Sequence, residues 1–273
     1  MVFEIPINDL EISEGDYIGE DGLLYCGKCH TPKQCYAPAI SDKPVPCMCK
    51  CADEARKEER KREQEEAKQM EISRMRINAF PDHIMASWTF DHDDQKNQRL
   101  SQIARAYVDK FDEMKERGKG ILLYGNVGTG KTFIAACIAN ALIDKGVPCM
   151  VTNFPRLINI LQGKSVGRQD YIDNLEMFDL LVIDDLSSER DTEYMNEVVI
   201  NVINGRYLQH KPLIVTTNLT GQDLIKPSDI RKERIYSRLF EMCIPVEVKG
   251  EDRRKRKYAE DKAEIRDLLG VKS

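Results

Sequence analysis

Gly125-Asn126-Val127-Gly128-Thr129-Gly130-Lys131-Thr132, preceded by Ile121-Leu122-Leu123-Tyr124, decides the fold of this chain. The octapeptide fits G-x-x-x-x-G-K-[ST] and reads as a nucleoside triphosphate cradle. Gly125, Gly128 and Gly130 let the backbone turn tightly with its N–H groups facing inward, and the following helix adds the positive end of its dipole to a bound phosphate. Lys131 then neutralises β/γ-phosphate charge, and Thr132 places a hydroxyl where Mg²⁺ takes an oxygen ligand. Such a pattern arises by chance in roughly 1% of chains of this length, so its flanks matter. Ile121 to Tyr124 is a short apolar run ending at the first glycine, as expected of a buried parallel strand. Phe133 to Asp144, rich in Ala, Ile and Leu, stops at Lys145-Gly146, a helix with a glycine stop signal. A glycine-rich surface turn, the competing reading, explains neither flank.

Working outward, the chain alternates strands and helices: Val147 to Thr152, a helix from Phe154, Leu180 to Ile183, a helix from about Thr192 to Gln209, Leu213 to Thr217, and Ile244 to Val248. This predicts a parallel sheet with helices on both faces, with ligands at the carboxyl ends of the strands. Leu180-Leu181-Val182-Ile183-Asp184-Asp185 delivers two carboxylates to that end, a Walker B pattern. Asp184 is expected to hold Mg²⁺, and Asp185 to accept a proton from, or orient, the attacking water, with Glu189 as the alternative for that role. Leu213-Ile214-Val215-Thr216-Thr217-Asn218 ends in an amide able to bond the nucleophilic water or the γ-phosphate. Arg234 and Arg238, four residues apart in Glu233-Arg234-Ile235-Tyr236-Ser237-Arg238-Leu239, share one face of a predicted helix. Their guanidinium groups suit a developing phosphoryl charge, and exposed ion pairing is the competing reading.

Before the phosphate loop the signals differ. Six of the nine cysteines lie between Cys26 and Cys51. The first fifty residues show little hydrophobic periodicity, so this module needs a metal to order itself. Cys26-Gly27-Lys28-Cys29 is a C-x₂-C knuckle, and Cys47-Met48-Cys49-Lys50-Cys51 supplies a second pair at near zinc-ribbon spacing. The preferred Zn²⁺ set is Cys26, Cys29, Cys49 and Cys51, with Cys47, Cys35 and His30 as alternative members. Cys137, Cys149 and Cys243 fall singly in apolar patterns and read as core residues. From Ala52 to Arg76 the chain is packed with Arg, Lys and Glu, a solvated helix acting as spacer or partner arm, weakly supported by Glu54 and Glu58 against Lys57 and Lys61. Pro81 breaks it. A further helix is predicted from near Asn97 to Gly118, with Leu100, Ile103, Ala104, Tyr107, Val108, Phe111 and Met114 on one face.

With 273 residues and 41% hydrophobic content, the chain suits one substantial core plus a smaller module. Met1 to Leu10 lacks a basic region followed by an apolar stretch, and no run approaches a membrane span, so the default expectation is cytoplasmic with no membrane partner. A net charge of −5 gives no global attraction to nucleic acid, which leaves local patches such as Lys249 to Lys257, equally readable as solvated surface.

GNVGTGKT, LLVIDDL, IVTTN and ERIYSRL, in this order and spacing, resemble the AAA+ ATPases, and more narrowly the DnaC/DnaI helicase-loader and IstB-like branch, over about Asn78 to Gly250. The resemblance implies an AAA+ P-loop domain at 78–250, between a zinc-binding module at 1–51 with a charged linker at 52–77 and a charged tail at 251–273. It also implies Asn218 as sensor 1, Arg238 as an arginine finger acting in trans, and Arg234 and Arg206 as further subunit-contact positions. The extra helical element of this branch falls at Phe154 to Phe178, with Lys164 and Arg168 as single-stranded DNA contacts. No helical lid or duplex-reading domain like that of DnaA-type initiators is evident after Val248. The implied function is ATP-dependent loading of a replicative DNA helicase with ATP, Mg²⁺ and Zn²⁺ bound and self-association through the ATP site. The alternatives are an IstB-like transposition helper acting on duplex DNA and an adaptor that binds ATP without turning it over.

Overall fold

The computed structural model describes residues 12–39, 41–163, 167–186, 193–227 and 229–269. The chain forms two compact units, Met1–Met70 and Glu71–Ser273. In the first, β1 (Tyr17–Ile18) pairs antiparallel with β2 (Leu24–Tyr25), and β3 (Gln34–Ala37) with β4 (Ser41–Pro46). Among its described residues the buried apolar side chains are Leu23, Leu24, Cys26 and Cys49. Four such residues cannot offset the entropy of ordering this much chain, so another source of cohesion is required. Helix α1 (Lys50–Ala79) begins there and ends two residues before Pro81. Its first half carries exposed pairs, Asp53 with Lys57 at 2.7 Å and Arg62 with Glu59 and Glu66. These differ from the pairs expected at Glu54 and Glu58, because Asp53 lies a full i,i+4 step before Lys57, the favourable orientation.

The second unit begins with the buried end of α1, where Ile72 and Ala79 join the core. Then follow α2 (His83–Ala86), a 3₁₀ turn at Phe90–His92, α3 (Gln98–Asp109) and α4 (Phe111–Glu116). The single helix expected from Asn97 to Gly118 is broken at Lys110. Lys145 Nζ donates to the Val108 carbonyl at 2.9 Å, taking an acceptor that a continuous helix would use for its own backbone. Beyond lie β5 (Gly120–Tyr124), α5 (Lys131–Asp144), β6 (Cys149–Asn153), α6 (Phe154–Gly163), α7 (Arg168–Leu175), β7 (Leu180–Asp184), α8 (Glu193–Leu208), β8 (Leu213–Thr217), α9 (Gly221–Ile225), α10 (Ile230–Met242), β9 (Cys243–Glu247) and α11 (Arg253–Leu268).

The sheet order is β6-β7-β8-β5-β9, and every pairing is parallel. Alternation along the strands splits the core into two layers. Ile121, Leu123, Leu180, Val182 and Ile214 face α3 and α5, while Leu122, Leu181, Ile183, Leu213 and Val215 face α6, α8 and α10. This is the expected α/β AAA+ P-loop arrangement, a parallel sheet with helices on both faces. Cys137, Cys149 and Cys243 are buried, and burial pushes the Cys137 and Cys243 thiols up to about 12.

Arg206 corrects an expectation. Expected at a subunit contact, it is 1% exposed and donates to the carbonyls of Phe178 (2.6 Å), Asp179 (2.9 Å), Pro212 (2.6 Å) and, more weakly, Leu175 (3.4 Å). It joins the chain entering β7 to the chain entering β8, and burial lowers its pKa to about 10. A guanidinium with several fixed donors suits this cluster of carbonyls.

Candidate nucleotide and metal sites

Tyr124 ends β5, and the loop from Gly125 turns sharply into α5. Gly128 (φ 75°) and Gly130 (φ 95°) adopt the left-handed conformation that favours glycine, and Gly130 forms the N-cap of α5. A Cβ at Gly128 would also meet the Asp252 carboxylate at 1.9 Å. Thr129 Oγ1 donates to the Asn126 carbonyl at 2.9 Å, holding the turn closed. Lys131 lies almost buried under the loop and donates from Nζ to the carbonyls of Gly125 (2.8 Å) and Asn126 (2.7 Å). Burial lowers its pKa, while the Asp184 and Asp185 carboxylates oppose that shift.

The strand ends bring the Walker B pair to this loop. Thr132 Oγ1 and Thr216 Oγ1 both donate to Asp184 Oδ1, at 2.8 and 2.6 Å. Thr216 Oγ1 also accepts the backbone N–H of Asp185 at 3.0 Å. Asp185 sits at φ 58°, a conformation uncommon for a residue with a side chain and one that tends to persist at functional sites. Asn218 Nδ2 donates to Asp185 Oδ1 at 3.2 Å. Asp184, Asp185, Asn218, Lys131 and Thr132 therefore line one cavity of about 540 Å³ with Val127 to Gly130.

Donor chemistry and spacing fit a divalent ion. Neighbouring ligand oxygens of octahedral Mg²⁺ lie about 2.9 Å apart, given bonds of about 2.1 Å. The Thr132 hydroxyl and Asp184 carboxylate stand 2.8 Å apart.

Several lining residues were given no role by the sequence. Thr216, 2% exposed, is a polar residue in the otherwise apolar strand that leads to Asn218, and that polarity is the signal that could have singled it out. Trp88, His92 and Asp94 come from the irregular segment before α3, and Arg253 and Arg254 from the start of α11. Arg253 donates its backbone N–H to Gly128 O at 3.0 Å and pairs with Asp94 at 3.1 Å. The basic run from Lys249 is thus partly engaged at the phosphate loop.

Arg234 and Arg238 lie on α10, outside the lining of this cavity. They border a separate hollow of about 730 Å³ with Tyr207, Glu233 and Glu241. The Arg238 guanidinium stacks 4.6 Å over the Tyr207 ring, whose hydroxyl donates to Glu241 at 2.7 Å. Glu189 and Lys164 lie outside the described residues, and Arg168 opens α7.

In the first unit, Cys26, Cys29, Cys49 and Cys51 place their sulfurs within 4.8 Å of one another. Cys26–Cys51 and Cys49–Cys51 are 3.5 Å apart. Tetrahedral Zn²⁺ with bonds of about 2.3 Å separates its sulfurs by about 3.8 Å, so the four thiols fit that ion. The backbone N–H of Cys29 lowers the Cys26 pKa, and the Thr31 hydroxyl lowers Cys29 to about 5. Hydrogen bonds to Cys29, Cys49 and Cys26 push Cys51 up to about 12. Four such thiols ionise together only around a shared cation. The alternative members fall outside this group: Cys47 Sγ donates to the Pro32 carbonyl at 3.6 Å, and the His30 ring lies against Tyr17.

Known proteins bear on this arrangement. The replicative helicase loader DnaI of Bacillus subtilis (strain 168) is 26% identical over 178 residues, 60% of this chain and 56% of its own length. A Sinorhizobium fredii (strain NBRC 101917 / NGR234) protein, named as an insertion sequence ATP-binding protein, is 29% identical over 143 residues, 50% of this chain and 45% of its own. This chain spans about half the length of the curated relatives it matches. The crystal structure of DnaI shares the fold, with a TM-score of 0.57 and 23% identity over 66% of this chain and 99% of that one. The sequence pattern of the IstB-like ATP binding proteins matches residues 53–261, well over half of the chain. With the phosphate loop, the Walker B carboxylates and the parallel sheet in place, the chain belongs to the IstB-like ATP-binding family, with the DnaC/DnaI-type AAA+ ATPases.

Proposed function

We propose that the protein is an ATP-dependent loader of a replicative DNA helicase, with an N-terminal zinc module that grips the helicase and an AAA+ unit that assembles with copies of itself on single-stranded DNA. In this reading the glycine-rich loop and Lys131 hold the triphosphate. Thr132 and Asp184 hold Mg²⁺, which draws charge from the β- and γ-phosphates when bound. Asp185, steered by Asn218, orients the attacking water and takes its proton. Cys26, Cys29, Cys49 and Cys51 hold Zn²⁺.

The observation that carries the reading is the division of labour between two surfaces. Asp184, Asp185 and Asn218 converge on the phosphate loop, whereas Arg238 borders a different hollow. That placement supports Arg238 reaching phosphates across a subunit boundary, with ATP acting as a switch for assembly. Turnover is accordingly slow in the isolated chain and rises with protein concentration.

Mixing the full chain with a hexameric replicative helicase tests the proposal. A complex on size exclusion, strengthened by ATP, is the expected result, and no complex with or without ATP counts decisively against it. A second reading, a transposition helper on duplex DNA, draws on the insertion-sequence relative. ATP-dependent filaments on duplex DNA and none on single strands would select it.

A further inference from the structure

Asn140 sits in the middle of α5, 1% exposed, on the helix that carries Lys131 and Thr132. A buried amide without partners is costly, since its desolvation goes uncompensated. Here it is fully engaged: Nδ2 donates to the carbonyls of Met85 (3.1 Å), Trp88 (2.9 Å) and Ala136 (3.2 Å), and Oδ1 accepts from Arg76 Nε at 3.2 Å. Arg76 lies in the last turn of α1 and also pairs with Asp144 at the end of α5. Trp88, whose carbonyl Asn140 holds, lines the phosphate-loop cavity and packs at 5.8 Å against Phe133, the residue after Thr132. One chain of hydrogen bonds thus runs from the end of α1, through the core, to the cavity wall.

We infer that Asn140, oriented by Arg76, is a positioning residue for the nucleotide. It fixes the Trp88 wall that remains for base and sugar once the phosphates occupy the loop, so docking of the end of α1 on α5 sets nucleotide affinity. This rests on the reading of the phosphate loop as an ATP site. An apolar residue at 140 would fill the same space without orienting Trp88, which is why the amide matters here.

The chain has a single tryptophan, so Trp88 emission reports on this wall directly. The Arg76 side chain is 32% exposed, so Arg76→Met removes the donor to Asn140 without opening a core cavity. In the full chain, Arg76→Met is expected to keep its far-UV circular dichroism, to shift Trp88 emission in the absence of nucleotide, and to bind a fluorescent ATP analogue roughly three- to tenfold more weakly. Asn140→Asp, which keeps an acceptor for Arg76 and loses the donor to Trp88, is expected to weaken binding at least as much. Asp144→Asn removes only the exposed ion pair and is expected to stay within about twofold of wild type. Arg76→Met with affinity within about twofold of wild type and unchanged Trp88 emission overturns the inference, whether or not Asn140→Asp folds. A wild-type chain that fails to bind the analogue removes the ATP reading instead, and the Trp88 emission of Arg76→Met still decides the Asn140 linkage.

Discussion

Replacing Arg206 by Met tests the account of the buried core most sharply. The substitution removes three short hydrogen bonds, to Phe178, Asp179 and Pro212, while filling nearly the same volume. Each charge-assisted bond is worth about 1.5–3 kcal/mol, and each carbonyl left buried without a donor costs about 1–3 kcal/mol. Relief of the desolvated charge offsets part of this, so the net loss should match other broken buried pairs, about 3–5 kcal/mol. For a unit of about 200 residues, each kcal/mol lowers the melting midpoint by about 2–4 °C, which predicts a fall of roughly 10 °C. Thermal unfolding of the dilute full chain, followed by circular dichroism, measures it, with Arg206→Lys expected to fall between the two. A midpoint for Arg206→Met within about 2 °C of wild type, together with weakened self-association, would refute the reasoning and restore Arg206 as a subunit contact.

Other perturbations follow from the two sites. Chelation of zinc from the full chain should increase proteolysis within the first seventy residues and leave the AAA+ unit's melt in place, because the former has four buried apolar side chains among its described residues; a protease pattern unchanged by chelation contradicts the zinc assignment. Lys131→Ala should abolish ATP turnover, which a coupled phosphate-release assay checks, and turnover equal to wild type would exclude the loop as the ATP site. Gly128→Ala should weaken ATP binding by at least about tenfold through strain at positive φ and the clash with Asp252; calorimetric titration showing wild-type affinity would disprove that packing. Arg238→Ala should lower turnover only under conditions of assembly, so an equal loss at every protein concentration would argue against action in trans.

Much of this was legible in the sequence because the signals are local. An apolar run before a glycine loop, and one before two aspartates, specify buried parallel strands whose carboxyl ends hold the chemistry, and the sheet places them together. The N-terminal knuckles likewise announced themselves by spacing, and their sulfurs converge. Other features depend on which segments meet. Thr216 looks like any strand threonine until Asp184 and the Asp185 N–H both reach its hydroxyl. Arg206 resembles a surface arginine until the turns entering β7 and β8 leave their carbonyls around it. Asn140 and Trp88 are separated by 52 positions and share a hydrogen bond only because α5 packs against the segment after α1.

The sequence by itself determined the strand-loop-helix cradle, the carboxylate pair and the alternation that makes the sheet parallel, since each follows from hydrophobic period, glycine freedom and charge within a short window. Only the tertiary structure decided that Arg206 is a buried clasp, that Arg238 stands away from its own subunit's phosphate loop, and that Trp88, His92, Asp94, Arg253 and Arg254 complete the cavity. Those outcomes depend on burial and on long-range contacts, which no local pattern encodes.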